Sequence, residues 1–148
     1  MRQEHFRISA VEALEPYKLT VTFGDGKIMT VDLKDIIERI PALSPLKEEN
    51  LFRSIGIDEH GLSVEWRQGE LDMAGDNLRA KAVEQAGGIS HERILDWMQR
   101  NNLSLDTATK ALGISRRMLA YYRSGEKSIP KHIWLACVGW ETQKNKAV

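Results

Sequence analysis

The chain has 148 residues, of which 42% are hydrophobic and 28% charged, which fits one ordinary soluble domain or two small ones. The net charge is zero, no apolar run reaches the roughly 18 residues of a membrane helix, and the N-terminal residues lack a signal-peptide core, so the sequence predicts a cytoplasmic protein without a membrane partner. The one cysteine, Cys137, excludes an intramolecular disulfide.

The first half of the chain shows the period of two that is typical of β-strands. Tyr17, Leu19, Val21 and Phe23 alternate with polar residues. The glycines of "GDG" at residues 24–26 then suit a tight hairpin, and the returning segment "KIMTVDL" is predicted to be the second strand.

A short helix and a second hairpin are predicted next. The segment "LKDIIERI" has a helical pattern and is followed by Pro41, which ends the helix. The segments "SIGID" and "LSVEW" flank "EHG" and place Leu62, Val64 and Trp66 on one face. We therefore predict a small antiparallel β-sheet domain with one helix over residues 1–74.

The second half has helical periodicity. The segment "DNLRAKAVEQA" ends at a Gly-Gly pair, and we interpret residues 75–88 as a connector helix. Ser90 is a plausible N-cap for the next helix, which is predicted to bury Ile94, Leu95 and Met98.

Two further helices and a closing helix follow. Ser104 is predicted to cap a helix that Gly113 ends, and Ser115 to cap a helix that Gly125 ends. Pro130 then suits the start of a last helix.

Charge is distributed unevenly between the halves. Residues 1–74 contain 9 Lys and Arg against 14 Asp and Glu, a net charge of −5, and residues 75–148 contain 12 against 7, a net charge of +5. Such asymmetry favours a nucleic-acid-binding part joined to another domain.

The segment "LGISRRMLAYYRSGEKSIP" has the composition of a turn followed by a DNA-reading helix. Met118, Leu119 and Tyr122 fall on the inward stripe of that helix. We predict base-edge contacts from Arg116, Arg117 and Tyr121 and backbone contacts from Ser115, Arg123 and Lys127. The complete predicted DNA-binding set is Ser115, Arg116, Arg117, Ala120, Tyr121, Arg123 and Lys127.

The segment "ALGISRRMLAYYRSGEKSIP" resembles the lambda-repressor-like (Cro-type) helix-turn-helix family, in its turn, in Leu119 six positions after Gly113 and in Gly125 twelve positions after it. The resemblance covers about residues 89–141. It implies an all-α domain that binds double-stranded DNA with the helix after the turn and commonly dimerises on palindromic sites. In the family, alanine is usual where this chain has Thr109, and an acid is frequent where it has Arg123.

The first half resembles a small bacterial family that is known only as a domain of unknown function. The resemblance rests on "YKLTVTFGDG", "VDLKDII", "LF", "IDEHGLSVEW" and "GELDM" in that order, over about residues 6–78. It implies a small α+β fold without established chemistry, and members are sometimes proposed to be antitoxin-like partners.

No catalytic or metal-binding constellation is evident, so we expect no enzyme activity, no cofactor and no metal. Asp58, Glu59 and Glu65 form an acidic group, but a solvated strand or turn explains them better than acid–base catalysis. The four histidines lack metal-ligand spacing.

The sequence as a whole predicts an α+β protein in which the sheet domain precedes a helix-turn-helix domain at residues 89–148. The leading hypothesis is a homodimeric, sequence-specific DNA-binding transcriptional regulator whose first domain serves dimerisation, or partner or ligand binding. Two alternatives stay open. One is a protein-interaction, antitoxin-like module whose acidic first domain binds a protein partner, and the other is a plain four-helix domain with a solvated basic face.

Overall fold

The computed structural model describes residues 4–146, and the chain divides into two compact units, Met1–Gln85 and Ala86–Val148. The first unit combines strands with short helices, and the described part of the second is helical. The elements of the first unit are β1 (Ile8–Leu14), β2 (Lys18–Phe23), β3 (Ile28–Asp32), α1 (Lys34–Arg39), α2 (Glu49–Arg53), β4 (Gly56–Ile57), β5 (Ser63–Trp66), β6 (Leu71–Ala74) and α3 (Gly75–Gln85). Those of the second unit are α4 (His91–Arg100), α5 (Leu105–Leu112), α6 (Arg116–Ser124) and α7 (Lys131–Lys146).

The α+β architecture, with antiparallel strands followed by helices, confirms the predicted fold class. The strands form two three-stranded antiparallel sheets, in the orders β1-β2-β3 and β4-β5-β6, where the sequence predicts one small sheet. Among residues 4–146, no helix is both long enough and apolar enough to cross a membrane.

The predicted first hairpin is confirmed, and its inward face is the one that the alternating pattern indicates. Leu19 pairs with Val31 and Val21 pairs with Met29 across β2 and β3. Leu19, Val21 and Val31 are buried, so the apolar positions of the period-two pattern form the core of this unit.

Strand β1 was not predicted from the sequence, and its irregular register explains why. The pairing of β1 with β2 shifts between Ile8 and Ala10. Such a shift changes which residues face inward, so that Ile8 is buried and Val11 is half-buried. The strand therefore lacks the simple alternation by which β2 could be recognised.

The predicted second hairpin is also confirmed, because β4 pairs with β5. Val64 and Trp66 are buried, and the indole Nε1 of Trp66 donates a hydrogen bond to the Phe52 carbonyl at 3.0 Å. The prediction for Leu62 was wrong, since this side chain is 55% exposed. Leu62 precedes β5, where the alternation of the strand does not extend.

Helix α3 belongs to the first unit and differs in this respect from the predicted connector at residues 75–88. Leu78 and Ala82 are buried in the same apolar core as the strands. The Gln85 side chain accepts from the Asp32 amide and donates to the Asp32 carbonyl, both at 2.8 Å, so it satisfies backbone groups of β3. The unit therefore ends at Gln85, after the helix.

The second unit has its own apolar core, which is centred on two fully buried side chains, Trp97 and Leu119. The prediction for Leu95 was wrong, because Leu95 is exposed and Trp97 takes the inward position on α4. The Trp97 indole can be buried because its Nε1 donates to the Cys137 carbonyl at 3.0 Å. Burial raises the pKa of the Cys137 thiol to about 12, so this thiol is protonated at neutral pH.

A bidentate ion pair joins the last residue of α4, Arg100, to Glu141 within α7. Arg100 donates from Nε to Glu141 Oε2 at 2.9 Å and from an Nη to Glu141 Oε1 at 3.0 Å. The Asn101 amide also donates to Glu141, at 2.8 Å. The hydrogen bonds from Arg100, followed by those from Asn101, lower the pKa of Glu141 from 4.5 to about 2.

We predict that this ion pair makes the stability of the second unit depend on pH in the acid range. The pKa of Glu141 is lower in the folded state, so its contribution is complete above about pH 4.5 and is lost as the pH falls towards about 2. In urea unfolding at several pH values, Glu141→Gln should destabilise the protein at neutral pH, and the difference from wild type should shrink on acidification.

Glu126→Gln provides the matched control, because Glu126 is an exposed acid of the same unit. It should leave the pH dependence close to that of wild type. A difference between wild type and Glu141→Gln that stays constant from neutral pH to pH 2 would contradict the assigned role of Glu141.

Candidate nucleic-acid interface

Helices α5 and α6 are joined by a short turn. Capping residues fix the start of α5 and the two ends of this turn. The Ser104 side chain accepts from the Thr107 amide at the start of α5, and the Thr107 hydroxyl accepts from the Ser104 amide. Gly113 ends α5 with φ 70°, in the left-handed region where glycine is favoured. The Ser115 hydroxyl then accepts from the Met118 amide and starts α6, which confirms the predicted cap.

The contact between the two helices is close and fully satisfied. Ala108 on α5 and Leu119 on α6 are both completely buried. Thr109, which stands where alanine is usual in the family that the segment resembles, is also buried. Its hydroxyl donates to the Asp106 carbonyl at 2.6 Å, so the threonine is accommodated without an unsatisfied polar group.

The seven residues that the sequence predicts to contact DNA lie on α6 or directly beside it. Their accessibility agrees with a solvent-facing surface on the side of α6 opposite Leu119 and Tyr122, which are buried. The exposed members are Ser115, Arg116, Arg117, Arg123 and Lys127, and the half-buried members are Ala120 and Tyr121.

Tyr121 brings two of the basic residues together. The Arg117 Nε donates to the Tyr121 hydroxyl at 3.1 Å, and the guanidinium carbon lies 5.7 Å from the ring centroid. The Lys127 Nζ lies 4.4 Å from the same centroid, and the Lys127 amide donates to the Tyr121 carbonyl. We call Arg117, Tyr121 and Lys127 the tyrosine cluster. These cation–π contacts hold both cations beside the ring of Tyr121 at this surface.

Arg116 lies outside the tyrosine cluster and has an acidic partner. Its Nε is 3.3 Å from Oδ1 of Asp106, which is in the first turn of α5. Asp106 was not among the predicted interface residues. Its ten-residue separation from Arg116 gives no signal in the sequence, because the two meet only when the turn reverses the chain.

The surface that α6 and its flanking residues present is strongly basic. Residues 115–132 contain three arginines and two lysines against one glutamate, a net charge of +4. The hydrogen bond from Arg117 to Tyr121 raises the pKa of this arginine, which like every arginine is charged at accessible pH. Such a surface attracts polyanions, and its planar guanidinium groups suit bidentate acceptors.

Comparison with known families covers the first unit. A family described as "Protein of unknown function (DUF2442)" matches residues 8–84, about half of the chain. The chain belongs to the DUF2442 family. The match begins with β1 and ends at residue 84, so it includes all of α3 except its last residue, Gln85. No curated protein matches the chain.

One similar solved structure extends the comparison beyond the DUF2442 part. It is the crystal structure of a protein from Nitrosomonas europaea ATCC 19718 that is described as a putative DNA binding protein. The two chains are 52% identical, with a TM-score of 0.85, and the match covers 91% of this chain and 86% of that one. Because only 9% of the chain is left out, the likeness includes most of both units.

Two acidic residues of the DUF2442 unit, Asp58 and Asp25, hold parts of the fold in place. Asp58 Oδ1 accepts from the His60 amide at 3.2 Å and from the Leu62 amide at 2.8 Å, which shapes the turn before β5. Asp25, in the "GDG" hairpin, receives two hydrogen bonds from Arg79 of α3, at 3.2 and 2.8 Å. These carboxylates are therefore engaged in holding turns and helices in place.

Proposed function

We propose that the C-terminal unit binds double-stranded DNA in a sequence-dependent manner and that the protein acts as a transcriptional regulator. The observation that carries this proposal is the exposed, basic surface of α6, which follows α5 after a short glycine-containing turn. A helix pair of this kind places its second helix in the major groove. The proposal assigns no catalysis and no cofactor to the chain, and it includes the cytoplasmic location that the sequence predicts.

The side chains of α6 offer both kinds of contact that DNA recognition requires. The terminal nitrogens of Arg116 and Arg117 can donate bidentately to guanine O6 and N7. Lys127 and Arg123 are exposed at the far end of the helix, where they can neutralise phosphates. The amide groups at the start of α6, next to Ser115, suit a further phosphate.

Similarity to a protein that is described as DNA-binding supports the proposal at a coarse level. At 52% identity and 91% coverage, the Nitrosomonas europaea protein shares most of both units with this chain. We therefore propose that the basic surface of α6 has the DNA-binding role in this chain too.

We further propose that the protein binds DNA as a homodimer. One small module makes few contacts, and two copies on half-sites about one helical turn apart bind a palindromic site more tightly. The DUF2442 unit would then supply the dimer contact or bind a partner or a ligand.

The test of this function is selection of DNA from a random pool, followed by fluorescence anisotropy at several salt concentrations. We expect an enriched sequence, and we expect the logarithm of its binding constant to fall with the logarithm of salt by about 0.9 per neutralised phosphate. A pool without an enriched sequence would refute the proposal. Purification of a stoichiometric protein partner through residues 1–74, together with absent DNA binding, would favour the interaction-module alternative.

A further inference from the structure

Two neighbouring arginines at the start of α6 have chemically different partners. Arg116 is next to the carboxylate of Asp106, whereas Arg117 donates to the neutral hydroxyl of Tyr121. The side chains of Arg116 and Asp106 are 66% and 65% exposed. Water therefore screens their attraction, and the pair contributes little to folding stability.

The geometry of the Arg116 contact determines which donors stay accessible. Asp106 Oδ1 lies 3.3 Å from Arg116 at Nε. The two terminal nitrogens of the guanidinium lie beyond Nε, and they are the donors that guanine O6 and N7 accept as a pair. A carboxylate at Nε thus orients the planar group without replacing its base-reading edge.

The same carboxylate reduces the attraction of Arg116 for the DNA backbone. Non-specific binding depends on the number of phosphates that cations neutralise. The negative charge of Asp106, 3.3 Å from Arg116 Nε, offsets the arginine charge and repels a phosphate that approaches it. The neutral hydroxyl of Tyr121 does not offset the charge of Arg117, so Arg117 keeps its full attraction for the DNA backbone.

Resting on the proposed DNA-binding function, we propose that Asp106 is a positioning residue that acts through Arg116 and determines specificity. It favours contact of Arg116 with a guanine over contact with phosphates of any sequence. The arginine loses little when it reads the correct base, since Nε can stay beside Asp106. On DNA that lacks this guanine, Arg116 contributes less binding energy than an arginine without an acidic neighbour. The ratio of specific to non-specific affinity therefore rises.

The experiment compares wild type with Asp106→Asn on the selected site, on the site with the guanine that Arg116 contacts replaced, and on unrelated DNA. Wild type should prefer this guanine by about 5- to 150-fold. In Asp106→Asn this preference should fall towards the lower end of that range. Its salt slope on unrelated DNA should become steeper by about 0.9, the value for one more neutralised phosphate.

Asp96→Asn is the matched control, since Asp96 is an exposed acid on α4 and the substitution changes the net charge equally. It should leave the guanine preference unchanged. Asp106→Asn should fold normally, because the hydrogen bond from Thr109 goes to the backbone carbonyl of residue 106. In an Arg116→Ala background, Asp106→Asn should have no effect on base preference.

Three outcomes overturn the inference. If Asp106→Asn keeps the wild-type guanine preference, or if it changes base preference equally in the Arg116→Ala background, then Asp106 does not act through Arg116. In both cases wild type still selects a DNA sequence, so the proposed function stands and only this inference fails. If wild type selects no sequence, both the proposed function and the inference fail.

Discussion

Replacing both Arg116 and Arg117 by alanine should lower affinity for the selected DNA site by about 2–6 kcal/mol, because each bidentate contact with guanine contributes about 1–3 kcal/mol. The same double variant should lose its preference for the selected sequence over other DNA, since both base-edge contacts are removed. Both side chains are exposed, and the cap at Ser115 and the buried Leu119 are retained, so the helix should stay folded. Anisotropy titrations on the selected site and circular dichroism provide the two measurements.

The DUF2442 unit provides a control with the same change of charge. Lys34→Ala with Arg39→Ala also removes two positive charges, and both residues are exposed on or beside α1. This variant should bind the selected site almost as tightly as wild type. Equal losses in the two double variants would mean that overall charge, rather than the surface of α6, determines binding, and the proposed function would then be wrong.

The parts of the fold that were predicted correctly have a local signature. The β2–β3 hairpin follows from an alternating pattern and a pair of glycines, and the limits of α6 follow from Ser115 and Gly125. In each case residues close in sequence fix the backbone, by hydrogen bonds of a cap or by a left-handed glycine. Short-range physics of this kind can be identified without knowledge of the tertiary structure.

The sequence-based predictions differ from the structure where the position of a residue depends on a contact that is distant in sequence. The sequence predicts a connector at residues 75–88 because it does not reveal that Leu78 packs against the strands. Leu95 was placed inside because nothing nearby indicates that the Trp97 indole finds the Cys137 carbonyl 40 residues away.

The candidate interface likewise has features that the sequence predicts and features that it does not. Its basic side chains could be assigned from helical periodicity, since the buried Leu119 and Tyr122 define the opposite face. The tyrosine cluster could not be predicted from the sequence, because it requires the loop after α6 to place Lys127 over the ring of Tyr121. The Asp106–Arg116 pair likewise requires the turn between α5 and α6 to bring two helix starts together.

The contact of Arg79 with Asp25 is the second place where a single substitution should have a large effect. The Arg79 side chain is only 6% exposed, and it donates to the His5 carbonyl at 2.6 Å as well as to Asp25. Its guanidinium also lies 5.0 Å from the centroid of Phe23. The interaction fixes α3 to the β2–β3 hairpin, which is why the aspartate of "GDG" is a structural residue.

Asp25→Ala should therefore destabilise the DUF2442 unit by about 3–5 kcal/mol, since removal of one partner leaves a buried charge uncompensated. Arg79→Met should cost less, because methionine fills the apolar space and the Asp25 side chain, 29% exposed, retains contact with water. Urea unfolding, with hydrogen exchange of the β2 and β3 amides, measures the effect in this unit.

A double-mutant cycle separates this pair from the turn that Asp25 also shapes through the Lys27 amide. The variant with both Asp25→Ala and Arg79→Met should be less destabilised than the sum of the single variants, because no buried charge is then left alone. Asp72→Ala, at an exposed position of β6, is the control for loss of an exposed acid from the same unit. Additive losses would show that Asp25 acts only in its turn. Coupling, by contrast, would show that Arg79 of α3 and Asp25 of the hairpin stabilise the unit through their mutual contact.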